Sequence, residues 1–252
     1  MPRYIKLTET ASTNTYMAQM ASILPSTTVV YTDRQTAGRG QKGNSWESED
    51  GKNLAFSFLL KNPAIEPARQ FYISEGVSFA VAEMLSVYVP EGITIKWPND
   101  IYYRDKKICG ILIEHTLSGS RIGHSIIGVG ININQERFVS DAPNPISLKN
   151  ITGQDYDLER MLRDLNESIE RLTDFTSASE AAFDALHERY LARLYRADGH
   201  PHQWQLPSGE TFLGTIVDVQ PDGLLCLRHE DTGEIGKYYF KEVKHVINSH
   251  IL

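Results

Sequence analysis

Apolar positions along the chain recur at two different spacings, which predict a mixture of helices and strands. Between residues 67 and 88 the apolar side chains return every three or four positions, as on one face of an α-helix. From Ile127 to Ile133 they alternate with other residues instead, as in a strand with one buried face. The patterns predict helices over residues 12–22, 67–88, 157–175 and 180–196, and strands over 29–32, 53–60, 125–134 and within 93–115.

After residue 198 the pattern changes to short β-type runs separated by the turn sequences LPSGE, QPDG and DTGE. This change favours a small β-barrel over residues 199–252, following a main domain over residues 1–198. Within the main domain, helices and strands do not follow the regular alternation that is typical of parallel sheets. We therefore predict an α+β fold in which helices flank a largely antiparallel sheet, with a small C-terminal β-barrel.

The composition narrows the class of protein without naming a function. The 252 residues carry a formal net charge of −7 with a pI near 5.6, which favours neither nucleic acid nor a membrane surface as a partner. No signal peptide and no apolar run of about 18 residues is apparent. The two cysteines, Cys109 and Cys226, stand far apart, which argues against a disulfide framework and a zinc site. We expect a cytoplasmic protein in which local cations bind any anionic ligand.

The segment from residue 38 to 43 combines three glycines with two cations, Arg39 and Lys42. Glycines let backbone N–H groups approach a ligand closely, and the cations bring charge to the same place, which suits a phosphate or a carboxylate. No GK[ST] sequence follows, so this is not a Walker A loop, and a plain flexible connection is the alternative. Trp46, three residues later, either joins the core or stacks on an aromatic ligand.

A second polar cluster follows the strand that begins at residue 93. Lys96 lies on the strand face opposite to the apolar one, where a solvated side chain is the alternative to a ligand contact. Asn99 and Asp100 come just after Pro98, which ends the strand, and such positions serve either metal or ribose contacts or an ordinary turn. Lys107 follows a polar hairpin tip, where a lysine is most simply exposed.

Two further segments offer ligand-facing positions. In the strand over residues 126–132, Gly128, Gly130 and Asn132 share one face that is nearly free of side chains. Glycines inside a strand usually mark the close approach of a ligand or another backbone, with a bulge as the alternative. Residues 12–14 (STN) are most simply a helix cap, although their polar groups are also able to hold a polar ring or a carboxylate.

Taken together, these segments resemble the biotin protein ligase family in both order and spacing. The resemblance rests on STN, GRGQKGNSW, KWPND, KKICGILIE and GVGININ, and it extends from about residue 8 to residue 150. KWPND followed by Lys107, eleven residues after its lysine, and then by Gly110 is the specific part of the match. A glycine-rich loop alone would not be specific.

The resemblance implies a catalytic core similar to class II aminoacyl-tRNA synthetases and lipoate ligases, together with roles for individual residues. Lys107 and Arg39 are implied to be catalytic, and Asp100 is implied to contact Mg²⁺. The residues implied to bind biotin are Ser12, Thr13, Asn14, Gln35, Gly38, Arg39, Gly40, Lys107 and Gly110. The residues implied to bind the nucleotide are Gln41, Lys42, Trp46, Lys96, Asn99, Asp100 and Asn132.

The implied activity is the activation of biotin with ATP and Mg²⁺ to biotinyl-AMP, followed by transfer of biotin to a lysine of a biotin carboxyl carrier protein or carboxylase domain. The implied enzyme is a monomer or a homodimer. The competing interpretations are a lipoate-type ligase, whose arginine-rich SGGG-type motif is not found here, and a non-catalytic biotin-binding or nucleic-acid-binding module. The charged loop, Asp100 and Lys107 argue against a purely binding role, and the net charge of −7 argues against nucleic acid.

The sequence departs from the common family pattern in two respects. Gln41 and Asn44 stand where many members have arginines, which puts the tightness of adenylate binding in doubt. In addition, the STN motif begins close to residue 1, so we expect the monofunctional type without a DNA-binding helix-turn-helix domain.

We predict that residues 38–46 are mobile without ligand and become ordered when biotin or its adenylate binds, because a mixed anhydride must be shielded from water. Limited proteolysis with and without saturating biotin and ATP measures this ordering. Protease sensitivity of the loop that ligands do not change would contradict the prediction.

Overall fold

The computed structural model describes residues 3–140 and 144–247, whose strands form two sheets. The main sheet contains β1 (Tyr4–Thr10), β2 (Val29–Gln35), β3 (Leu54–Lys61), β4 (Ile93–Lys96), β5 (Asp100–Tyr103), β6 (Lys106–Ser118) and β7 (Arg121–Ile131). The second sheet contains β8 (His202–Gln205), β9 (Thr211–Val219), β10 (Leu225–His229), β11 (Ile235–Tyr238) and β12 (Lys244–His245). The helices are α1 (Thr13–Met20), α2 (Phe71–Tyr88), α3 (Leu148–Thr152), α4 (Leu158–Leu172) and α5 (Glu180–Leu191).

The strands of the main sheet lie in the order β1-β2-β3-β7-β6-β5-β4. Every neighbouring pair is antiparallel except β1 and β2, so the predicted mixed fold around a largely antiparallel sheet is confirmed. The sequence patterns did not predict β1. It is an edge strand with no fully buried residue, and its sequence YIKLTET therefore carries a weak apolar signal.

The main sheet has helices on both of its faces, and this explains the long apolar run in β3. Successive side chains of a strand point to opposite faces. Leu59 therefore packs with Met17 of α1 and Ile126 on one face, whereas Phe58 and Ile127 belong to the larger core on the face that α2 covers. Each of these fully buried side chains contributes about 1.5–3 kcal/mol to the stability of the fold.

The predicted helices are found, with ends that tertiary contacts have moved. α2 begins at Phe71 instead of residue 67, because residues Pro67–Arg69 form a 3₁₀ turn. α5 ends at Leu191 instead of residue 196, because the following segment pairs with β4 on both sides of Ile95. There the Ile95 N–H donates to the Arg193 carbonyl and the Tyr195 N–H donates to the Ile95 carbonyl, both at 2.8 Å. None of the helices in the described ranges combines the length and the apolar character needed to cross a membrane.

The C-terminal strands form an antiparallel sheet in the order β11-β10-β9-β8-β12. Within the described residues β11 and β12 lie at opposite ends of this order, so a sheet is observed where a barrel was expected. The sheet packs on the main domain, since Trp204 and Leu227 belong to the same apolar cluster as the α2 side of the main sheet. The Trp97 indole also donates to the Gly223 carbonyl at 3.0 Å.

A buried ionic contact also connects the two sheets through the helices. His187 of α5 places Nδ1 2.8 Å from Oε1 of Glu75 in α2 and Nε2 2.9 Å from Oδ1 of Asp218 in β9. The hydrogen bond with Glu75 is the main reason that the pKa of His187 is raised to about 9. Burial raises the pKa of Glu75, which is completely enclosed. The protonated imidazole therefore joins α2, α5 and β9.

We predict that this contact makes stability depend on pH. Because the folded-state pKa of His187 is raised from 6.5 to about 9, its contribution is complete below pH 6.5 and is lost as the pH rises through 9. The difference in free energy of unfolding between the wild type and His187→Gln should therefore shrink between about pH 6 and about pH 10, measured by urea unfolding. His200→Gln, at an exposed histidine, is the control, and a pH-independent difference for His187→Gln would refute the prediction.

Candidate functional site

A cleft lies between the α1 face of the main sheet, the loop that follows β2, and the end of the second sheet. The predicted site residues that line it are Ser12, Thr13, Asn14, Gln35, Arg39, Gly40, Gln41, Trp46, Lys96, Asn99, Asp100, Lys107 and Gly110. A neighbouring cavity includes Asn132 and shares Trp46, Asp100 and Lys107 with the cleft.

The glycine-rich loop folds into a tight hairpin over the sheet. The Gly40 N–H donates to the Asn44 carbonyl at 2.7 Å, and the Trp46 N–H donates to the Gly38 carbonyl at 3.0 Å. Gly38 does not line the cleft, but a Cβ there would lie 2.5 Å from the Trp46 carbonyl, so it has to be glycine for the hairpin to form. The side chain of Lys42 lies outside the described part of the structure.

Trp46 rests on the strip of the sheet that lacks side chains. A Cβ at Gly130 would lie 2.5 Å from the indole nitrogen, and a Cβ at Gly110 would lie 3.0 Å from the ring. The Nζ atom of Lys107 lies 5.7 Å from the centre of the indole ring. The glycine-lined face of β7, which the sequence indicated as ligand-facing, is occupied by the side chains of Trp46 and Asn14.

One end of the cleft is uncharged and densely hydrogen-bonded. The side-chain oxygen of Gln35 accepts from the Thr13 backbone N–H at 2.9 Å and lies 3.3 Å from the Thr13 hydroxyl. The hydroxyl of Ser57 lies 2.6 Å from Oδ1 of Asn14 and 2.8 Å from Oγ1 of Thr13. Ser12 occupies the N-cap position of α1 without a capping hydrogen bond. Such groups suit a neutral ligand with several donors and acceptors.

Arg39 pairs with a carboxylate that the sequence motifs did not single out. Its guanidinium contacts Glu114 of β6, with Nη2 2.9 Å from Oε2 and 3.2 Å from Oε1. Sequence reasoning missed Glu114. The period of two along a strand was the available signal, because it places Glu114 on the same face as Gly110 and Leu112.

The other end of the cleft carries two lysines and one carboxylate. Nζ of Lys107 lies 2.7 Å from Oδ1 of Asp100, and Nζ of Lys96 donates to the Tyr102 hydroxyl at 3.0 Å. Burial lowers the pKa of Lys96, and burial raises the pKa of Tyr102 to about 12. The prediction that Lys96 lies on the strand face opposite to the apolar one is confirmed. Its side chain is half-buried in the cleft, so it is not simply solvated.

Two asparagines differ in how much of their hydrogen-bonding capacity is available. The Asn99 amide donates to the Ile111 carbonyl, so it fastens the start of β5 to β6. The Asn132 amide donates to the Ile146 carbonyl at 3.1 Å, but its Oδ1 is buried without a partner. A buried acceptor without a donor is uncommon and suits a ligand amino group in the neighbouring cavity.

Residues of the second sheet complete the cleft, and the sequence reasoning missed them because it assigned them to a separate module. The cleft-lining residues of this group are Trp204, Phe240, Val243, Lys244 and His245. The rings of His245 and Trp204 lie 3.7 Å apart, and Nδ1 of His245 is buried without a partner. Burial first, and then the charge of Lys96, lower the pKa of His245 to about 2, so this imidazole is neutral.

The implied metal contact is consistent with an ion that arrives with a nucleotide. No group of three or more His, Cys, Asp or Glu side chains within residues 3–140 and 144–247 is arranged to hold a metal. Asp100 is a single carboxylate at the charged end of the cleft. Mg²⁺ commonly takes one or two carboxylates and completes its shell with substrate phosphates and water.

Comparison with known proteins decides the family. The model of the biotin/lipoate A/B protein ligase family matches residues 5–132, which is half of the chain. The chain belongs to this family. The resemblance that the motifs indicated is therefore confirmed.

Individual relatives agree with this assignment. The biotin–[acetyl-CoA-carboxylase] ligase of Paracoccus denitrificans is 28% identical over 234 residues, covering 88% of this chain and 92% of the relative. The bifunctional ligase/repressor BirA of Bacillus subtilis is 29% identical over 226 residues, but the alignment covers 87% of this chain and only 66% of the relative. The biotin protein ligase of Aquifex aeolicus, solved in complex with biotin and ATP, superposes with a TM-score of 0.78 at 26% identity, covering 97% of this chain and 99% of that one.

We predict that Gly130→Ala displaces Trp46, because the new Cβ would lie 2.5 Å from the indole. Overpacking of this kind costs about 1–3 kcal/mol in the free energy of unfolding. Urea unfolding and a red shift of tryptophan emission are the measurements. Gly123→Ala on the same strand is the milder comparison and should cost less, since its nearest contact is 3.1 Å to the Ser118 Cβ and no contact is shorter than 3.0 Å. A Gly130→Ala variant with unchanged stability and emission would show that the packing is wrong.

Proposed function

We propose that this chain is a biotin protein ligase, which forms biotinyl-AMP from biotin and MgATP and then transfers biotin to a lysine of a carboxylase or biotin carboxyl carrier domain. One observation carries the proposal: a single cleft joins an uncharged, hydrogen-bonding end to an end with Lys107 and Asp100, in a chain of the biotin/lipoate ligase family. The solved complex of the Aquifex aeolicus relative with biotin and ATP supports it.

The uncharged end suits the ring system of biotin. Its cyclic urea offers one carbonyl acceptor and two N–H donors, which call for side chains with both capacities. Ser12, Thr13, Asn14 and Gln35 supply hydroxyl and amide groups there and are almost entirely enclosed apart from Gln35. Gly40 and Gly110 let the loop and the sheet approach the ligand closely.

The charged end suits the reaction of a carboxylate with a phosphate. One biotin carboxylate oxygen forms a bond to the α-phosphorus, and the bond from that phosphorus to the pyrophosphate oxygen breaks. Both reactants are anions, so cations that stabilise the charge developing on phosphorus accelerate the step. Lys107 is the proposed catalytic cation, with Lys96 beside it. Asp100 is the proposed contact for the Mg²⁺ that accompanies ATP, and that ion offsets phosphate charge.

The neighbouring cavity is the proposed nucleotide pocket. Trp46 forms the wall that it shares with the cleft and offers an aromatic surface to adenine. The unpaired Oδ1 of Asn132 suits the adenine amino group. Gln41 and Asn99 line the adjoining cleft, and Lys42 is included on the strength of the sequence motif alone.

In the second half of the reaction, the acceptor lysine amine attacks the carbonyl carbon of the mixed anhydride. The bond between that carbon and the phosphate oxygen breaks, AMP leaves and the amine loses a proton. The loop over residues 38–46 shields the anhydride from water until the acceptor arrives. This step needs an acceptor domain that presents its lysine at the mouth of the cleft.

The division of the chain into two domains belongs to the same proposal. We propose that residues 1–198 form the main domain, with a core of the class II aminoacyl-tRNA synthetase type, and that residues 199–252 form the second domain, a small barrel. The support for this division is the pairing of β8–β12 with one another alone. The shared apolar cluster keeps the second domain at the cleft.

Incubation of the purified chain with biotin, MgATP and a biotin acceptor domain tests the function, with the intact mass of the acceptor as the readout. We expect the acceptor to gain one biotinyl group, and to gain nothing when lipoate replaces biotin. Lys107→Ala should lower the rate by about 100-fold or more, because a cation at the reacting phosphate is lost. The adjacent exposed lysine variant Lys106→Ala should keep the wild-type rate. Modification by lipoate instead would identify a lipoate ligase, and biotin binding without transfer would identify a binding protein.

A further inference from the structure

The Arg39–Glu114 ion pair stands apart from the reacting end of the cleft. Glu114 follows Gly110 by four residues along β6, which separates the two Cα atoms by about 13 Å in an extended strand. Trp46 and the side chain of Lys107 both contact Gly110. Arg39 therefore lies nearer to the uncharged end of the cleft, whereas Lys107 lies at the charged end.

Glu114 is itself held firmly from the sheet side. Its Oε2 accepts from Nδ2 of Asn14 at 2.8 Å, and Asn14 is only 3% exposed. The same Nδ2 lies 3.3 Å from the Leu112 carbonyl, and Oδ1 of Asn14 accepts from the Ser57 hydroxyl. Because both the nitrogen and the oxygen of the Asn14 amide have partners, the amide is held in place. Its hydrogen bond then holds the Glu114 carboxylate where it contacts the loop.

The loop is consequently attached to the sheet at two separate points. Its C-terminal end is fixed by Trp46, which packs on Gly110 and Gly130. Its N-terminal end is fixed by the Arg39 guanidinium on Glu114. Between these points the hairpin hydrogen bonds of Gly38 and Gly40 give the segment a defined turn, so it spans the cleft as a strap.

We propose that Glu114 is a positioning residue and that its ion pair with Arg39 is a clasp that keeps this strap over the bound substrate. The inference rests on the proposed function for the identity of that substrate, namely biotin and its adenylate. Arg39 then acts through the loop, and the charge that assists phosphoryl transfer comes from Lys107. The pair is partly exposed, with 45% of the Arg39 side chain and 39% of the Glu114 side chain accessible, so the clasp is weak enough to open when product leaves.

A double-mutant cycle tests the clasp. Arg39→Gln and Glu114→Gln each remove one charge, and the glutamine at 114 keeps an acceptor for Asn14. We expect each single variant to raise the KM for biotin and the rate of biotinyl-AMP release by about threefold to fivefold, the size that a partly exposed ion pair supports. The double variant should be no worse than either single variant, because both remove the same interaction. At saturating substrates, the kcat for adenylate formation should fall far less in these variants than in Lys107→Ala.

The control and a second readout keep the test independent of the activity. Arg34→Gln breaks ion pairs of similar exposure with Glu9 and Asp50, outside the loop, and should behave as the wild type. Tryptic cleavage after Lys42, followed by mass spectrometry, reports the accessibility of the loop directly. The cleavage should accelerate equally in both single variants and in the double variant.

If Arg39→Gln raises the KM for biotin far more than Glu114→Gln does, and the two effects add in the double variant, Arg39 binds the substrate itself and the clasp is overturned. A rate of tryptic cleavage that is unchanged in all variants would also overturn the clasp. A wild type without adenylate formation would refute the proposed function, while the cleavage rates would still decide the clasp.

Discussion

The narrow strip of the main sheet that carries no side chains is the constraint on which the cleft depends. Gly110 and Gly130 are paired across β6 and β7, and Gly128 follows in register two residues away. A Cβ at Gly128 would lie 2.2 Å from Oδ1 of Asn14, and one at Gly130 would lie 2.5 Å from the indole of Trp46. The loop and the start of α1 reach the sheet only because these positions are glycines. This close approach brings polar groups from distant segments around one ligand-sized space.

Charge is arranged locally in the cleft and not by the protein as a whole. The chain has a net charge of −7, yet its cleft contains Lys96, Lys107 and Arg39. Lys107 contacts Asp100 and Arg39 contacts Glu114, which limits the repulsion that grouped cations would otherwise create. Lys96 has a hydroxyl partner and a lowered pKa caused by its burial. The cations that line the cleft are therefore already held in place by their partners.

The second sheet belongs to the working cleft because it shares a core with the main domain. Trp204 packs in the common apolar cluster and also lines the cleft, next to the neutral ring of His245. The ionic contact of His187 with Glu75 and Asp218 joins the same two parts on another side. The shared apolar cluster and the His187 contact therefore fix the second sheet to the main domain, which places Trp204 and His245 at the cleft.

Much of the fold followed from local patterns, and the exceptions have local causes. Apolar periodicity was sufficient for α2, α4, β3 and β7, because each of these buries a regular set of side chains. It was insufficient for β1, an edge strand without a buried residue. It also placed the end of α5 too late, because pairing with Ile95 takes over the backbone hydrogen bonds of the following residues.

For the site, the sequence by itself determined the glycine-lined face of β7, because alternation along a strand fixes which side chains share a face. The loop, lysine and carboxylate positions that line the cleft were implied by the resemblance to the family. Only the tertiary structure decided which groups meet across the chain. Glu114 lies 75 residues from Arg39, and His245 comes from another sheet, so no local pattern relates either of them to the loop or to Lys96. Hydrogen bonds, ion pairs and burial act between neighbours in space, and the packing of the complete chain alone determines those neighbours.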